Sequence, residues 1–330
     1  MNVVWNFENQ NDMIMRQTHP SPIARAAMML ILSVFSLAGA WAQTIVMNEN
    51  ELRSALTDGA NIKLATDIKL STTLIIDGNI TVTIDMGGFE LNRGLTQRVM
   101  NVGQAIGVRT GSTLVLSNGT VTGAWGGDGG AIINHGNVQL TNVNIANNNA
   151  DNRGGGIANH GTLTMTGGSI SGNATDKNGS NGGGAIYNYN GATMTFSDVA
   201  ISANSSANNR GGGILNIGTA ILTRCSLTDN TSNDGGAIFN NNDGVMTIED
   251  CTINGNTSTV YGGGGITNYG SLDINGCLVT RNSCVGNGGG IWAKGSFNIQ
   301  GKVIIYNNSS NCPLGRARGN HPNSRSHRSD

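Results

Sequence analysis

Three short hydrophobic blocks recur in a fixed order along the middle of the chain, at a spacing of about 26 residues. The first block reads Gly-Gly-small-Ile-x-Asn, the second is an alternating apolar pair such as Leu163 and Met165, and the third reads aliphatic-x-x-Asn. The first-block isoleucines are Ile132, Ile157, Ile186, Ile214, Ile238, Ile266 and Ile291. The third-block asparagines are Asn148, Asn173, Asn204, Asn230, Asn256, Asn282 and Asn308. Seven copies in one internal order indicate a structural repeat.

Each copy predicts three β-strands, because its blocks alternate with period 2 and are separated by the turn residues Gly, Asn, Asp and Ser. Three short strands and three turns account for the length of one copy, so one copy forms one coil. Stacked coils pair each strand in parallel with its counterparts above and below, at roughly 4.8 Å per coil. The sequence therefore predicts an all-β, right-handed parallel β-helix of about ten coils over residues 61–311, with aliphatic residues inside and polar residues outside.

The composition agrees with in-register stacking. Charged residues make up 12% of the chain, against about 25% in a typical soluble protein, whereas Gly contributes 50 residues. A stacked column of charges would repel, but stacked asparagines can hydrogen-bond amide to amide. All four prolines lie outside residues 23–312, because proline would remove a donor from a sheet. A net charge of −1 without a basic run in the repeats argues against nucleic-acid binding, and the glycine density argues against a helical bundle.

The N-terminal region predicts an export signal. An apolar stretch over residues 26–40 follows two arginines and ends in the small-x-small triplet Ala40-Trp41-Ala42. Its length of about 15 residues is short of the roughly 20 that span a bilayer. We therefore predict that residues 1–42 are a cleaved signal peptide and that the mature protein is exported, either secreted or on a bacterial outer surface, and not integral to the membrane. An uncleaved anchor is the alternative.

An open stack exposes its core at both ends, and the two ends differ in sequence. Asn48-Glu49-Asn50-Glu51 has capping-box spacing, so residues 43–60 predict an N-terminal cap with a short helix over residues 48–58. After Asn311 the repeats stop, and residues 312–330 are rich in arginine. They are interpreted either as an aberrant or disordered tail or as the product of a reading-frame shift near codon 311. In the second case the true chain continues into more coils, or into a C-terminal anchor or secretion module.

Candidate binding residues fall in the segment just before the Gly-Gly block, which we expect to be a turn. They are Asp128, Asp151, Arg153, Asp176, Arg210 and Asp234. Clustered carboxylates hold Ca²⁺, and paired carboxylates hydrolyse glycosidic bonds. Because the same segments of the last two copies contain no acid, the favoured interpretation is solvated turn residues, with no catalytic residue and no cofactor. A Ca²⁺ site or catalytic cluster is the alternative.

Two further groups of side chains suggest surface chemistry. His135 and His160 follow the first-block asparagine in consecutive copies, within reach of one metal ion. Their column continues with unlike residues, which favours a tolerant surface column over a metal site. Aromatic residues that can offer stacking platforms for sugar rings, or can simply be scattered on the surface, are Trp125, Tyr189, Tyr261, Tyr269 and Trp292.

The cysteines predict free thiols. Cys225, Cys251 and Cys277 occupy one inward register, where other copies have valine. Stacked parallel strands separate their Cβ atoms by about 4.8 Å, farther than the roughly 3.8 Å that a disulfide prefers. Cys284 and Cys312 are expected in turns of adjacent coils, where a disulfide is the alternative to two free thiols.

The repeat resembles that of the polymorphic outer-membrane-protein family, whose hallmarks are GGA(I/L/V) and FxxN. The first motif occurs as Gly129-Gly130-Ala131-Ile132 and twice more, and the second has Ile, Leu or Val in place of Phe. The similarity covers roughly residues 108–312. It implies a surface-displayed or secreted passenger, often an adhesin, within the pectin-lyase-like superfamily.

Together, the repeat and the resemblance favour a non-enzymatic display or binding scaffold. Its expected partners are surface molecules of a host or neighbouring cell, or glycans. The alternative is a polysaccharide lyase or glycoside hydrolase, because the superfamily that the repeat resembles also contains such enzymes.

Overall fold

The computed structural model describes residues 43–97, 103–175 and 182–311, and these residues form a parallel β-solenoid of about nine turns. The predicted class, an all-β solenoid with a short N-terminal capping helix, is confirmed. The predicted signal peptide over residues 1–42, the tail over residues 312–330, Asp176 and Cys312 lie outside the described residues.

Three parallel sheets make up the solenoid within the described residues. Sheet 1 contains Thr44–Val46, Ala60–Leu64, Ile68–Lys69, Thr81–Asp85, Glu90–Asn92, Thr113–Thr122, Asn137–Ala146, Thr162–Ser171, Thr193–Ser197, Ala200–Ser202, Thr219–Thr223, Ser226–Thr228, Val245–Glu249, Thr252–Asn254, Ser271–Asn275, Leu278–Thr280, Ser296–Gln300 and Ile304–Tyr306. Sheet 2 contains Leu74–Ile76, Ile106–Val108, Ile132–Asn134, Ile157–Asn159, Ile186–Asn188, Ile214–Asn216, Ile238–Asn240, Ile266–Asn268 and Ile291–Ala293. Sheet 3 contains Trp125–Asp128, Asn149–Arg153, Ala174–Thr175, Ser205–Arg210, Thr231–Asp234, Thr257–Tyr261, Ser283–Cys284 and Ser309–Ser310.

Equivalent repeat positions pair in register from one turn to the next. Ile132 pairs with Ile157, and Ile157 pairs with Ile186. In sheet 1, Leu163 pairs with Met194 and Met165 with Phe196. One copy of the repeat therefore forms one turn. The inward positions of sheet 1 and the first position of each sheet 2 strand become columns of mostly aliphatic residues in the core.

Two details of the predicted turn differ from the structure. The second and third blocks both lie in sheet 1, and in Thr162–Ser171 they share one strand. The segment before the Gly-Gly block is the third strand and not a turn: Asp128 ends Trp125–Asp128, and Asp234 ends Thr231–Asp234. Its inward positions hold small or polar residues, so it carries no apolar alternation. These inward residues are Ala150, Thr175, Ser206 and Ser232, all buried.

Two asparagine columns are buried, although the sequence predicts polar residues outside. The sheet 2 ladder is Asn134, Asn159, Asn188, Asn216, Asn240 and Asn268, and in it each Nδ2 donates to the next Oδ1 at 2.8 Å. The corner ladder is the set of third-block asparagines from Asn148 to Asn308, with the same bond at 2.9–3.0 Å. Each corner-ladder Oδ1 from Asn173 onward also accepts the backbone N–H of the preceding asparagine. The predicted amide-to-amide stacking is confirmed, and it takes place inside the protein.

The chain bends sharply just before each corner-ladder asparagine. The preceding residue has a positive φ in every turn from Asn147, at 55°, to Asn307, at 53°. Gly and Asn, which tolerate this left-handed backbone, hold most of these positions. Ala203, with a φ of 54°, is an exception and carries a Cβ into a conformation that disfavours one.

The two ends of the described solenoid are closed to different extents. The helix Glu49–Ser54 begins after Asn48, whose side chain accepts the backbone N–H of Glu51, and buries Leu52 completely. It is shorter than the predicted span of 48–58. In the last turn, Ile299 and Ile305 are about half exposed, whereas their partners one turn earlier are fully buried.

The cysteine column is buried, as predicted. Cys225, Cys251 and Cys277 are free thiols at most 2% exposed, and the backbone N–H of Cys225 donates to the Cys251 Sγ at 3.2 Å. Cys284 lies in the strand Ser283–Cys284 and not in a turn, and it is also buried and free within the described residues.

Candidate functional site

The outward face of sheet 2 carries a band rich in aromatic residues, which we call the outer band. In each three-residue strand, the first and third residues point into the solenoid and the second points outward. The outer band consists of Tyr187, Leu215, Phe239 and Trp292 from the second strand position, and His135, His160, Tyr189, Ile217 and Tyr269 from the residue after the strand. Because neighbouring turns are roughly 4.8 Å apart, these side chains contact one another along the solenoid.

Three rings stack at one part of the outer band. The ring centroids of His135 and His160 are 4.3 Å apart, and those of His160 and Tyr189 are 3.5 Å apart, with the planes within about 21° of parallel. Burial, and then the nearby His135 imidazole, lower the pKa of His160 to about 4. Burial and Arg109 lower the pKa of His135. Both imidazoles are therefore uncharged at neutral pH, which the close stacking requires.

The centre of the outer band forms a small hydrophobic cluster outside the main core. Tyr187, Leu215 and Phe239 are at most 5% exposed although they point outward. Tyr189, Ile217 and Tyr269 pack against them from neighbouring positions. Further along, the Tyr269 ring meets Trp292 edge to face, with centroids 5.1 Å apart.

Arg153 is held against the outer band by several groups. Its guanidinium carbon lies 5.6 Å from the Tyr187 ring centroid and 5.7 Å from that of Tyr189. Its Nη1 is 3.4 Å from the Asp128 Oδ2, and the Tyr189 hydroxyl donates to the same oxygen at 3.0 Å. Burial and the neighbouring Asp128 carboxylate raise the pKa of Tyr189. Arg153 and the Tyr189 hydroxyl thus share the Oδ2 of Asp128, whereas the Asp128 Oδ1 is buried without a hydrogen bond within the described residues.

Two turns after Arg153, Arg210 occupies the equivalent position of the solenoid. A cleft with a volume of about 350 Å³ lies at this turn, and we call it the groove. Its apolar residues include Leu215 and Phe239 of the outer band. Its polar residues include Arg210, Asn241 and Asp234, and the 59% exposed Tyr261 also lines it. This volume is at the lower end of the roughly 300–1,000 Å³ of small-molecule sites.

The two charged residues of the groove are not bonded to each other. The Arg210 guanidinium carbon lies 4.9 Å from the Phe239 ring centroid, and no hydrogen bond to this side chain occurs within the described residues. Asp234 is 6% exposed, and its Oδ1 accepts a hydrogen bond from the Thr267 hydroxyl at 2.7 Å. Its Oδ2 makes no hydrogen bond within the described part of the chain. Burial raises the pKa of Asp234, although the Thr267 bond and Arg210 oppose that shift.

The predicted binding residues that the structure describes, which exclude Asp176, lie in the strands of sheet 3 and do not form one cluster. Asp128 and Arg153 contact each other, and Arg210 and Asp234 line the groove. Asp151 instead accepts a hydrogen bond from the Trp125 indole at 3.3 Å, so this aromatic residue is tied to sheet 3. Asp128 and Asp234 are four turns apart, roughly 19 Å at the spacing of parallel strands. Over residues 43–97, 103–175 and 182–311, no three His, Cys, Asp or Glu side chains are placed to share a metal ion.

The sequence prediction did not identify the apolar part of the site. Leu215 and Phe239 appear in the sequence only as the variable residue inside the first block. A signal was present, because this position is outward on a strand and yet holds large apolar or aromatic residues in five copies. Such a column is unusual on a solvated face and indicates a second cluster or a binding surface.

Comparisons with known proteins identified no relative of the chain. Neither the models of protein families, nor the curated proteins, nor the solved structures gave a match to the chain. In the part of the chain that the structure describes, no helix has the length and apolar character needed to cross a membrane.

Proposed function

We propose that the protein is an exported β-helix, secreted or held at a bacterial outer surface, that binds saccharides through the outer band and does not catalyse a reaction on them. The observation that carries this proposal is the outer band itself, a run of aromatic rings along the solenoid with the groove at its centre. Aromatic faces pack against the apolar faces of sugar rings, while amide, carboxylate and guanidinium groups bond hydroxyls.

The arrangement of turns suits an extended ligand. Outer-band positions repeat at roughly 4.8 Å, so a chain of similar units lying along the solenoid would meet similar contacts at successive turns. A surface that is extended, low in charge and held by a rigid core is also typical of repeat scaffolds that bind other molecules. The resemblance to polymorphic outer-membrane-protein repeats supports display at a cell surface, with host or neighbouring-cell glycans as partners.

The positions of the acidic residues favour binding over hydrolysis. Glycoside hydrolases that use two carboxylates hold them about 5–9.5 Å apart. Asp128 and Asp234 are roughly 19 Å apart. Asp128 is in addition bonded to Arg153 and Tyr189.

A paired assay tests the proposal. The mature chain, labelled and applied to a glycan array, is expected to bind a defined set of saccharides, and Tyr269→Ala is expected to weaken that binding. Tyr306→Ala, which removes an exposed ring outside the outer band, is the control and is expected to bind normally. In parallel, acidic and neutral polysaccharides are incubated with the protein with and without Ca²⁺. New reducing ends or unsaturated ends would show that the protein is a hydrolase or lyase instead, and an array without any binding would remove the proposal.

A further inference from the structure

One carboxylate oxygen of the groove has no hydrogen-bond partner within the described residues. Asp234 is 6% exposed, and Thr267 bonds only its Oδ1. The Thr267 hydroxyl in turn accepts the backbone N–H of Gly263 at 2.8 Å, which fixes the orientation of the carboxyl group. Because Asp234 lines the groove, its unbonded Oδ2 is a ready acceptor for a ligand donor.

Two other polar side chains of the groove, Arg210 and Asn241, make no hydrogen bond within the described residues. The Arg210 guanidinium packs on the Phe239 ring and leaves its N–H groups without hydrogen bonds. The Asn241 side chain, which lines the groove, likewise makes no hydrogen bond within the described residues. The groove thus presents acceptors and donors around an apolar floor, a combination typical of specific small-molecule sites.

The charges of the groove limit the ligand. Arg210 and Asp234 are the charged residues that line it, and their formal charges cancel. An anionic ligand near Arg210 would be repelled by the fixed Asp234 carboxylate, and a cationic ligand near Asp234 would be repelled by Arg210. A ligand that carries hydroxyl groups and no net charge is repelled by neither residue.

We infer that the groove is a subsite for an uncharged sugar ring, with the Asp234 Oδ2 accepting a ligand hydroxyl, Arg210 and Asn241 bonding further ligand oxygens, and Tyr261 stacking on the ring. This inference rests on the proposed function and names the ligand class and the site. It assigns a binding role to Asp234, which lines the groove together with Arg210 and Asn241. The Asp128 Oδ2, in contrast, is bonded to Arg153 and Tyr189.

Isothermal titration with neutral trisaccharides and with uronic-acid trisaccharides of the same linkages tests the assignment. We expect the neutral ligands to bind and the acidic ones to bind at least tenfold more weakly. Asp234→Asn retains an acceptor for Thr267 and removes the charge, and it is expected to lower the affinity about tenfold. Tyr261→Ala is expected to lower it by about three- to tenfold.

Two controls keep the result interpretable. Asp198→Asn removes an exposed carboxylate that pairs with Arg224 in another part of the turn, and it is expected to leave binding unchanged. Thermal unfolding of each variant verifies that the fold is intact. Neutral saccharide binding that survives both Asp234→Asn and Tyr261→Ala would overturn the inference and leave the proposed function standing, as would stronger binding of the acidic ligands. Failure of every saccharide to bind would overturn both.

Discussion

The corner ladder and the outer band are both columns of stacked side chains, but they differ in how freely the sequence varies. The corner ladder holds asparagine at every turn from Asn148 to Asn308. From Asn173 to Asn282, each amide donates to the next asparagine and accepts from the preceding one, in a buried setting where any other residue would leave groups unpaired. The outer band changes from His to Tyr, Leu, Phe and Trp along its length. Its contacts are between ring faces and apolar surfaces, which several residue types can form. Outward residues can therefore vary to suit a ligand, whereas the ladder residues inside the solenoid cannot.

Removing one ladder amide is the strongest test of this contrast. Asn230→Ala deletes the acceptor of the Asn204 backbone and side-chain N–H groups and the donor to the Ile201 carbonyl. Two or more buried groups lose their partners, at about 1–3 kcal/mol each, so we expect the free energy of unfolding to fall by about 3–5 kcal/mol. Urea unfolding followed by circular dichroism measures this loss. Asn241→Ala, in the outward column, is the control and is expected to change stability by less than about 0.5 kcal/mol. An equal loss of unfolding free energy in the two variants would show that ladder and outward asparagines do not differ in this way.

A fall in pH is expected to affect the outer band and not the asparagine ladders, because the ladders contain no titratable group. The folded pKa of His160, about 4, lies below its ordinary value of 6.5, so the unfolded chain binds this proton first as the pH falls. The contribution of uncharged His160 to the free energy of unfolding is therefore complete above about pH 6.5, and it is lost as the pH falls toward 4. Because His160 is only partly buried, we expect a loss of about 1 kcal/mol.

The comparison of wild type with His160→Phe isolates this effect. The variant keeps a ring in the stack and removes the titrating group, so its unfolding free energy is expected to fall less between pH 7 and pH 4. Groups remote from the stack, including Glu49 with its pKa lowered to about 2, titrate equally in both proteins. Parallel pH curves for the two proteins would show that the histidine stack does not respond to acid.

The smallest expected effect concerns the bend before the corner ladder. Ala203→Gly removes a Cβ from a backbone with a φ of 54°, and we expect it to stabilise the protein by about 0.5–1 kcal/mol. Ala200→Gly, in the strand Ala200–Ser202, should instead destabilise it by a similar amount. The difference in urea midpoint between these variants checks the assignment. A destabilising Ala203→Gly would mean that the bend is not strained by alanine.

The sequence predicted the inner column positions far better than the site. Stacking dictates the residue type at Ile132, Asn148 and their counterparts. These positions can be recognised in the sequence because they recur about every 26 residues. Sheet 3 was missed because its inward residues, such as Ala150 and Ser206, are small or polar and give no hydrophobic period. The apolar floor of the groove was missed because Phe239 is outward by strand alternation and yet is buried by side chains of the neighbouring turns, such as Leu215 and Tyr269.

The corner ladder has a consequence for how the protein can be made. Asn173, Asn204, Asn230 and Asn256 each begin the Asn-x-Ser/Thr sequence to which eukaryotic secretory cells attach N-linked oligosaccharides. In the folded chain these four residues are at most 1% exposed, and their Nδ2 atoms already bond a neighbouring amide and a carbonyl. Attachment of an oligosaccharide and formation of the ladder therefore exclude each other. A chain that is glycosylated before it folds would lose the ladder, so the fold is compatible only with routes of synthesis that leave these asparagines unmodified.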